Sequence, residues 1–378
     1  MTTSAPTDLL FMMAGDVHRN ARALRQLGAL AADGMSVRVL CLPGQATSPL
    51  PDGVSVEPIA VQGSGGPGFF RRLHRQFAEA AAAHAAKLVH ASDLYVLRAA
   101  RQTARARGVP YTFDARELYT HVAATAGRPH VRFFWDVVQR GAIRQAARVW
   151  TVSNHIADFL AERYGITRPD VQLNAPAFRE ITPDPFLRNT LGLMPDQPIL
   201  LHLGQLRRDR GAEVLIQAMA EWPTTAPDAQ LVFLGYGPHR KTLERLANGL
   251  ARVHFLDPVP PNRVLPVTAG ADLGVTLLQP TCLNHRYALP NKLFDYLAAG
   301  LPVVASDLEE TGAMVRRFDC GLTVEPNRPD AVRDALLKAC TRSADTLRWK
   351  RNARVAGETL DWNAVSDRFA RQMRSLIP

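Results

Sequence analysis

Apolar runs of strand length alternate with helix-period patterns along the whole of this 378-residue chain, the signature of parallel α/β units. In the first half, Leu9–Ala14 leads into a helical pattern through Leu24, Leu27 and Leu30, and Gly34 leads into a second strand at Val37–Leu42. Strands follow at Lys87–Ala91, Pro110–Asp114 and Val149–Ser153, with a helix over Leu97–Arg107 and a long arginine-rich helical segment between them. Parallel sheets of this kind bind ligands at the carboxyl ends of their strands, where Gly15, Asp93, Asp114 and Ser153 fall.

The periodicity then lapses. From Asn174 to Pro198 the chain holds five prolines, Pro176, Pro183, Pro185, Pro195 and Pro198, and reads as a linker. A second α/β pattern starts afresh, with strands at Pro198–Leu203, Gln230–Leu234, Val253–Leu256, Leu273–Leu277, Pro302–Ala305 and Leu322–Val324. Helices separate them at Arg210–Glu221, Arg240–Ala247, Asn262–Ala269, Asn291–Ala299 and Pro329–Thr341, and an amphipathic segment over Asn363–Leu376 closes the chain. The expected organisation is a domain over 1–178, a linker over 179–197, a second domain over 198–345, and a helical tail over 346–378 that packs back on the first domain. Both domains are expected to be doubly wound and Rossmann-like, facing each other across a cleft.

Composition narrows this further. With 47% hydrophobic residues the chain can bury two cores, and no apolar run approaches the ~18 residues of a membrane span. Leu9–Ala14 lacks a basic flank and reads as a strand rather than a signal peptide. Four cysteines without paired spacing predict neither disulfides nor a structural metal, which fits the cytoplasm. The net charge of +10 favours anionic substrates or anionic lipid; without a sustained basic run interleaved with aromatics, nucleic acid is not expected as a partner. The glycine run Gly63–Gly68 matches the dinucleotide fingerprint, but it is not on the first strand-to-helix turn and has no acid at the right distance; it reads as a flexible loop.

Three motifs in the second half carry chemistry. Leu200 to Gly211 is a strand, a glycine turn at Gly204, and a helix start bearing Arg207 and Arg210. Helix amino ends attract phosphate, and arginine adds bidentate bonding. Leu231 to Pro238 is a second strand running into glycines, Gly235 and Gly237. Asn284 to Asp307 holds a helix with Lys292 and Asp295 three apart, on one face, able to present a cation to phosphate and a carboxylate to ribose.

In these motifs, G-Q-L-R-R-D-R-G-A-E-V-L-I-Q-A-M, L-V-F-L-G-Y-G-P and P-N-K-L-F-D-Y-L-A-A-G-L-P-V-V-A-S-D, the chain resembles the family 4 type of retaining glycosyltransferases of GT-B fold. The resemblance extends to G-D-V-H-R-N-A-R-A-L and F-D-A-R-E-L-Y in the amino half. It implies a nucleoside-diphosphate sugar as donor, held by the second domain. Arg207, Arg210 and Lys292 would neutralise the diphosphate, Gly204, Gly235 and Gly237 would admit it closely, Val259 would line the base, and Asp295 would bind the ribose. Asp295, Arg210 and Lys292 are the implied catalytic set. A glycan or lipid-linked acceptor would lie near Gly15, Asp16, Arg19, Asp93, Asp114 and Glu117. No metal or other cofactor is implied, and surface polysaccharide biosynthesis is the implied setting.

The sequence departs from that pattern at two points. The family's paired glutamates fall at Tyr287 and Asp295, and an acceptor-side histidine is replaced by Arg116. Two other readings therefore stand beside a transferase: a nucleotide-sugar epimerase of the same fold, and a non-catalytic nucleotide-binding scaffold. No Asp-x-Asp pair occurs in the chain, so fixed cations rather than a metal clamp are expected to stabilise the departing diphosphate. Finally, Arg140, Arg144 and Arg148 share a helical face near Phe133, Phe134 and Trp135. That face reads either as a solvated helix or as a dock on the anionic inner face of a membrane.

Overall fold

The strands of the computed structural model, which describes residues 7–44, 50–341 and 343–377, are short apolar runs, most of them buried on both faces as parallel strands covered by helices must be. Contacts divide the chain into two units, Met1–Asn174 with Trp362–Pro378, and Ala175–Asp361.

The first unit runs β1 (Thr7–Met13), α1 (Ala21–Ala32), β2 (Val37–Cys41), β3 (Val54–Pro58), α2 (Gly66–Ala82), β4 (Ala86–Ala91), α3 (Leu94–Arg107), β5 (Tyr111–Ala115), α4 (Pro129–Ile143), β6 (Arg148–Thr151), α5 (Asn154–Tyr164) and β7 (Asp170–Val171). Its parallel sheet has the order β3-β2-β1-β4-β5-β6-β7, so the strand order reverses at β1. The caps follow the sequence: Asn20 and Asp93 accept backbone N–H groups at the starts of α1 and α3, and Gly108 and Gly165 end α3 and α5 in the left-handed conformation.

The second unit runs α6 (Phe186–Leu191), β8 (Ile199–Leu203), α7 (Ala212–Ala220), β9 (Gln230–Leu234), α8 (Arg240–Leu246), β10 (Val253–Leu256), α9 (Val264–Ala269), β11 (Leu273–Thr276), α10 (Leu283–Tyr287), α11 (Asn291–Ala298), β12 (Val303–Ser306), α12 (Glu309–Phe318), β13 (Gly321–Val324), α13 (Pro329–Cys340) and α14 (Ala344–Thr359). The parallel order is β10-β9-β8-β11-β12-β13, which reverses at β8. Both units are thus doubly wound and Rossmann-like. The last helix, α15 (Asn363–Arg374), belongs to the first unit: Phe369 meets Trp150 at 5.2 Å between ring centroids, and Trp362 and Met373 join the same core as Phe11 and Leu27.

The structure corrects four expectations. Residues 179–197 are not a free linker: they contain α6, Asp184 accepts a 2.6 Å bond from Arg263, and its backbone N–H bonds Pro266 O. The segment 346–378 does not act as one tail. α14 stays with the second unit because Gly357 has no Cβ, where one would overlap the Leu297 carbonyl of α11; only α15 joins the first. The glycine run is no loop beyond Gly65, since Gly66 begins α2 with Pro67 in its first turn. The edge strands β3 and β7 and the helices α10 and α12 were absent from the sequence pattern.

Candidate functional site

The reversal of strand order in the second unit lies between β8 and β11, and there the loops after the strands converge. β8 ends in Gly204, at φ +100°, whose N–H bonds Leu234 O at 2.9 Å; Leu206 N–H bonds Tyr236 O at 2.7 Å. These bonds lay the Gly204 turn on the turn after β9. The approach requires glycine: a Cβ at Gly235 would overlap Gly204 O, and one at Gly237 would overlap Leu206 backbone. Past Leu206, Asp209 takes a positive φ of 68°, and its carbonyl accepts from Gln279 N–H at 2.9 Å. Gly211 follows with φ +74° against the Leu277 carbonyl, and α7 starts at Ala212. This double left-handed turn directs the chain at Arg210 toward the end of β11.

Lys292 enters from α11. Its Nζ lies 2.9 Å from Nε2 of His202 on β8. Burial and the charge of Arg210 pull the lysine down to about 7, with Asp295 acting the other way. His202 is fully buried, and dehydration followed by the charges of Lys292 and Arg210 holds it far below its ordinary pKa, hence neutral. Two cations, Arg210 and Lys292, are therefore crowded together with one carboxylate, Asp295, on the same helix as the lysine. Such a concentration of positive charge at a strand-end crevice is unfavourable until an anion enters.

Tyr296 fixes this geometry. Its hydroxyl accepts from Leu203 N–H at 2.9 Å and lies 2.9 Å from Leu201 O and 3.1 Å from Val275 O. Its ring occupies the space a Cβ at Gly274 would need. α11 is thereby pinned to β8 and β11, and Lys292 and Asp295 are carried with it.

Of the donor-side residues expected from the sequence, the structure brings Gly204, Arg210, Gly235, Gly237, Lys292 and Asp295 together around this crevice. Arg207 is exposed on the loop before Asp209, Val259 is half-buried beyond β10, and Tyr287 is half-buried at the end of α10. Two residues outside the sequence-predicted set, His202 and Tyr296, also belong to this arrangement. The buried tyrosine next to Asp295 was the available signal.

The acceptor-side set is divided. Gly15 and Asp16 lie just past β1, where Gly15 O accepts from Leu42 N–H at 3.1 Å and Asp16 accepts from His18 N–H at 2.9 Å. Arg19 is exposed, 3.8 Å from Asp16, and Glu117 is exposed after β5. Two candidates are structural instead. Asp114 is fully buried, receives Arg22 through bonds of 2.6 and 2.8 Å, and accepts a third from Gln26 at 2.9 Å. Burial alone would raise this carboxyl, but the charge and hydrogen bonds of Arg22 bring it below the usual range. Asp93 is buried too and accepts N–H bonds from Ala14, Tyr95 and Val96, with Arg116 at 3.4 Å. Here burial outweighs the partners and raises the carboxyl. Both acids tie strand ends to helices, a role that leaves their oxygens occupied.

Arg140, Arg144 and Arg148 do not share one helical face, since α4 ends at Ile143 and Arg148 opens β6, and all three are engaged within their own unit. Arg140 lies over the Tyr164 ring at 5.4 Å and 3.6 Å from Asp136, Arg144 bonds Tyr164 O at 2.7 Å, and Arg148 pairs with Asp170 at 3.1 Å.

Comparisons with known proteins identify the family and the fold. Residues 20–177 match the glycosyl transferase 4-like domain family and residues 197–342 match the glycosyl transferases group 1 family. The lipopolysaccharide glucosyltransferase WaaG of Escherichia coli (strain K12) is 26% identical over 287 residues, 72% of this chain and 70% of that protein. The D-inositol 3-phosphate glycosyltransferase of Corynebacterium glutamicum (strain R) is 28% identical over 223 residues, 56% of this chain; the match spans 51% of that relative's length. Among solved structures, sucrose-phosphate synthase from Thermosynechococcus elongatus has a TM-score of 0.78 at 20% identity, covering 98% of this chain and 99% of that one. Anabaena HepE in complex with UDP-glucose has a TM-score of 0.75 at 17% identity, covering 98% and 100%. With both halves matched and the two Rossmann-like units in place, the chain belongs to the family 4 type of glycosyltransferases of GT-B fold.

Proposed function

We propose that the protein moves one sugar from a nucleoside-diphosphate sugar to a glycan or lipid-linked acceptor, with retention of anomeric configuration and without a metal. The setting is surface polysaccharide biosynthesis, on the cytoplasmic face of a membrane. The observation that carries the reading is the crowding of Arg210 and Lys292 at the strand-order reversal of the second unit, where Gly204 faces open space and Gly235 and Gly237 let the two strand-end turns pack together.

The chemistry follows from charge. As the sugar–phosphate bond breaks, negative charge grows on the departing diphosphate and positive charge on the anomeric carbon. Arg210 and Lys292 are in place before the reaction, so they stabilise the leaving group without reorganising. Asp295 presents its carboxylate to the ribose hydroxyls. No nucleophile for a covalent sugar intermediate is needed if the acceptor enters from the face the diphosphate leaves, giving its proton to a diphosphate oxygen. WaaG, by its name a lipopolysaccharide glucosyltransferase, is consistent with a lipid-linked glycan as acceptor.

The direct test is Arg210→Ala. Losing charge-assisted bonds of ~1.5–3 kcal/mol should weaken nucleoside-diphosphate binding roughly 10- to 100-fold and leave nucleoside binding nearly unchanged. Titration with UDP, GDP and ADP, with and without EDTA, names the base; a requirement for metal would refute the metal-free cradle. Equal loss for nucleoside and diphosphate would move the phosphate site elsewhere. Conversion of donor without acceptor would favour the epimerase, and binding without turnover on any acceptor the scaffold.

A further inference from the structure

His202 presents one ring nitrogen to the lysine of the crevice and buries the other. It sits on β8, fully buried, with its ring 5.3 Å from that of Phe233 on β9. Nε2 lies 2.9 Å from Lys292 Nζ, while Nδ1 is buried with no hydrogen-bond partner among the described residues. The ring is neutral, as burial and the charges of Lys292 and Arg210 require, so it carries a single N–H. Where that proton sits decides what Nε2 can offer the lysine.

The two arrangements are not equivalent. With the proton on Nε2, the ring donates to a neutral amine, and what remains at Nδ1 is a lone pair. With the proton on Nδ1, Nε2 accepts from the amine, and Nδ1 becomes a buried N–H without an acceptor. Orphaned N–H donors are the rarer of the two in folded proteins, because losing a donor's partner costs its full desolvation. A neutral Lys292 therefore favours the Nε2–H form. An ammonium has three donors and no lone pair, so it meets Nε2 only by donating to it, and the ring proton is forced to Nδ1.

The charges around the lysine decide which form is present. Arg210, from the loop before α7, acts against the ammonium, and Asp295, one turn along α11, acts for it. Helices α9 and α14 also pack on α11 and add no charge to this balance among the described residues. His285 of α10 faces Arg210 and Asp209; burial holds it below its ordinary pKa, and its Nδ1 lies 3.0 Å from both Gln279 O and Thr281 Oγ1. A phosphate arriving at Arg210 tips the balance toward the ammonium. One proton then enters from solvent, the lysine ends charged, and the imidazole stays neutral.

We infer that His202 is a positioning residue for Lys292: its ring proton sits on Nε2 in the empty site, capping the neutral amine, and on Nδ1 once a diphosphate is bound, so that Nε2 anchors one N–H of the ammonium. The other two N–H groups are left for phosphate. When the diphosphate departs, the orphaned Nδ1–H favours return to the neutral pair. This role rests on the donor-site reading of the proposed function.

The ring can be read directly. In the full chain labelled with 15N-histidine, long-range proton–nitrogen spectra show which ring nitrogen carries the proton, and His202→Gln identifies the signal by its loss. At pH 8.5 the empty protein should show the Nε2–H form, and UDP should convert it to Nδ1–H. At pH 6 the empty protein should already be Nδ1–H, whereas Lys292→Met should hold one tautomer at both pH values. Binding gives a second reading, since UDP affinity falls as the lysine loses its proton. His202→Phe removes the hydrogen bond that caps the neutral amine, which should raise the midpoint of that fall by ~0.5–1 pH unit, a three- to tenfold change in proton affinity. His202→Gln still offers an N–H and should keep the wild-type midpoint. A packing role alone would change affinity alike at every pH. One tautomer throughout, an imidazolium at pH 6, a tautomer change that persists in Lys292→Met, or an unmoved midpoint in His202→Phe would overturn the role. A ring that follows pH in a protein that binds no UDP would instead refute the donor site and leave the His202–Lys292 pair standing.

Discussion

At the scale of single residues, the candidate site depends on a lysine that cannot hold its proton cheaply. Lys292 is brought to about 7 by burial and by Arg210, so near pH 8 the empty site holds mostly neutral lysine, hydrogen-bonded to neutral His202. A bound diphosphate supplies negative charge and raises the lysine again, so binding takes up a proton. Affinity should then fall as pH rises above 7, while below 7 the lysine is already charged and adds no pH dependence. Calorimetry of UDP binding at pH 8 in two buffers of different ionisation enthalpy should show uptake approaching one proton in the wild type, and markedly less in Lys292→Met. Identical uptake in both would place the titrating group elsewhere. His202 itself was illegible in the sequence. A histidine on an apolar strand reads as core, and nothing local shows that a lysine ninety residues later ends beside it. Asp114 was misread for the mirror-image reason, since its partner Arg22 sits ninety-two residues earlier. Asp114→Ala leaves Arg22 buried and uncompensated, which should destabilise by ~3–5 kcal/mol in urea unfolding. A stable variant with only a raised acceptor KM would restore Asp114 to the acceptor site.

At the scale of elements, the strands were legible where the run is continuously apolar: Gln230–Leu234 coincides with β9, buried throughout, and Val253–Leu256 with β10, an edge strand that is only partly buried. The two strands that were missed, β3 and β7, are the edges of the first sheet. Val54–Pro58 is only partly buried and alternates Ser55 and Glu57 with valines, and β7 has two residues. α12 was hidden as well, since it turns Thr311 and Gly312 inward, and α14, which buries Ala353, Ala356 and Gly357, was expected only as part of one helical tail over 346–378. By contrast α15 announced itself through Phe369 and Met373 at helical spacing, and these are its anchors. Phe369 is 1% exposed against Trp150, so Phe369→Ala should destabilise by ~3–5 kcal/mol through lost burial and the cavity left behind. A loss under ~1 kcal/mol in urea unfolding would mean that α15 does not complete this core.

At the scale of the whole molecule, two patterns are set by arithmetic on the chain rather than by any contact. Alternation of strand and helix repeated on either side of a proline-rich stretch implies two doubly wound units, though not that the stretch itself folds onto the second. The other pattern is charge. Forty of the 45 basic residues are arginines, so the excess of +10 persists well above neutral pH. A positive field of that size acts on a nucleoside diphosphate before any contact forms, and salt screens it over ~10 Å at 0.1 M. The crowded Arg210 and Lys292, once in contact with phosphate and shielded from water, are screened far less. Salt should therefore act on the two rate constants differently. Between 0.05 and 0.5 M NaCl, stopped-flow measurement should show UDP association slowing by on the order of tenfold, dissociation changing by less than about twofold, and uridine association unchanged. Equal salt slopes for UDP and uridine would show that the net charge does not steer the donor. A dissociation rate that rises steeply with salt would place the phosphate contacts at the surface, with Arg207 rather than Lys292.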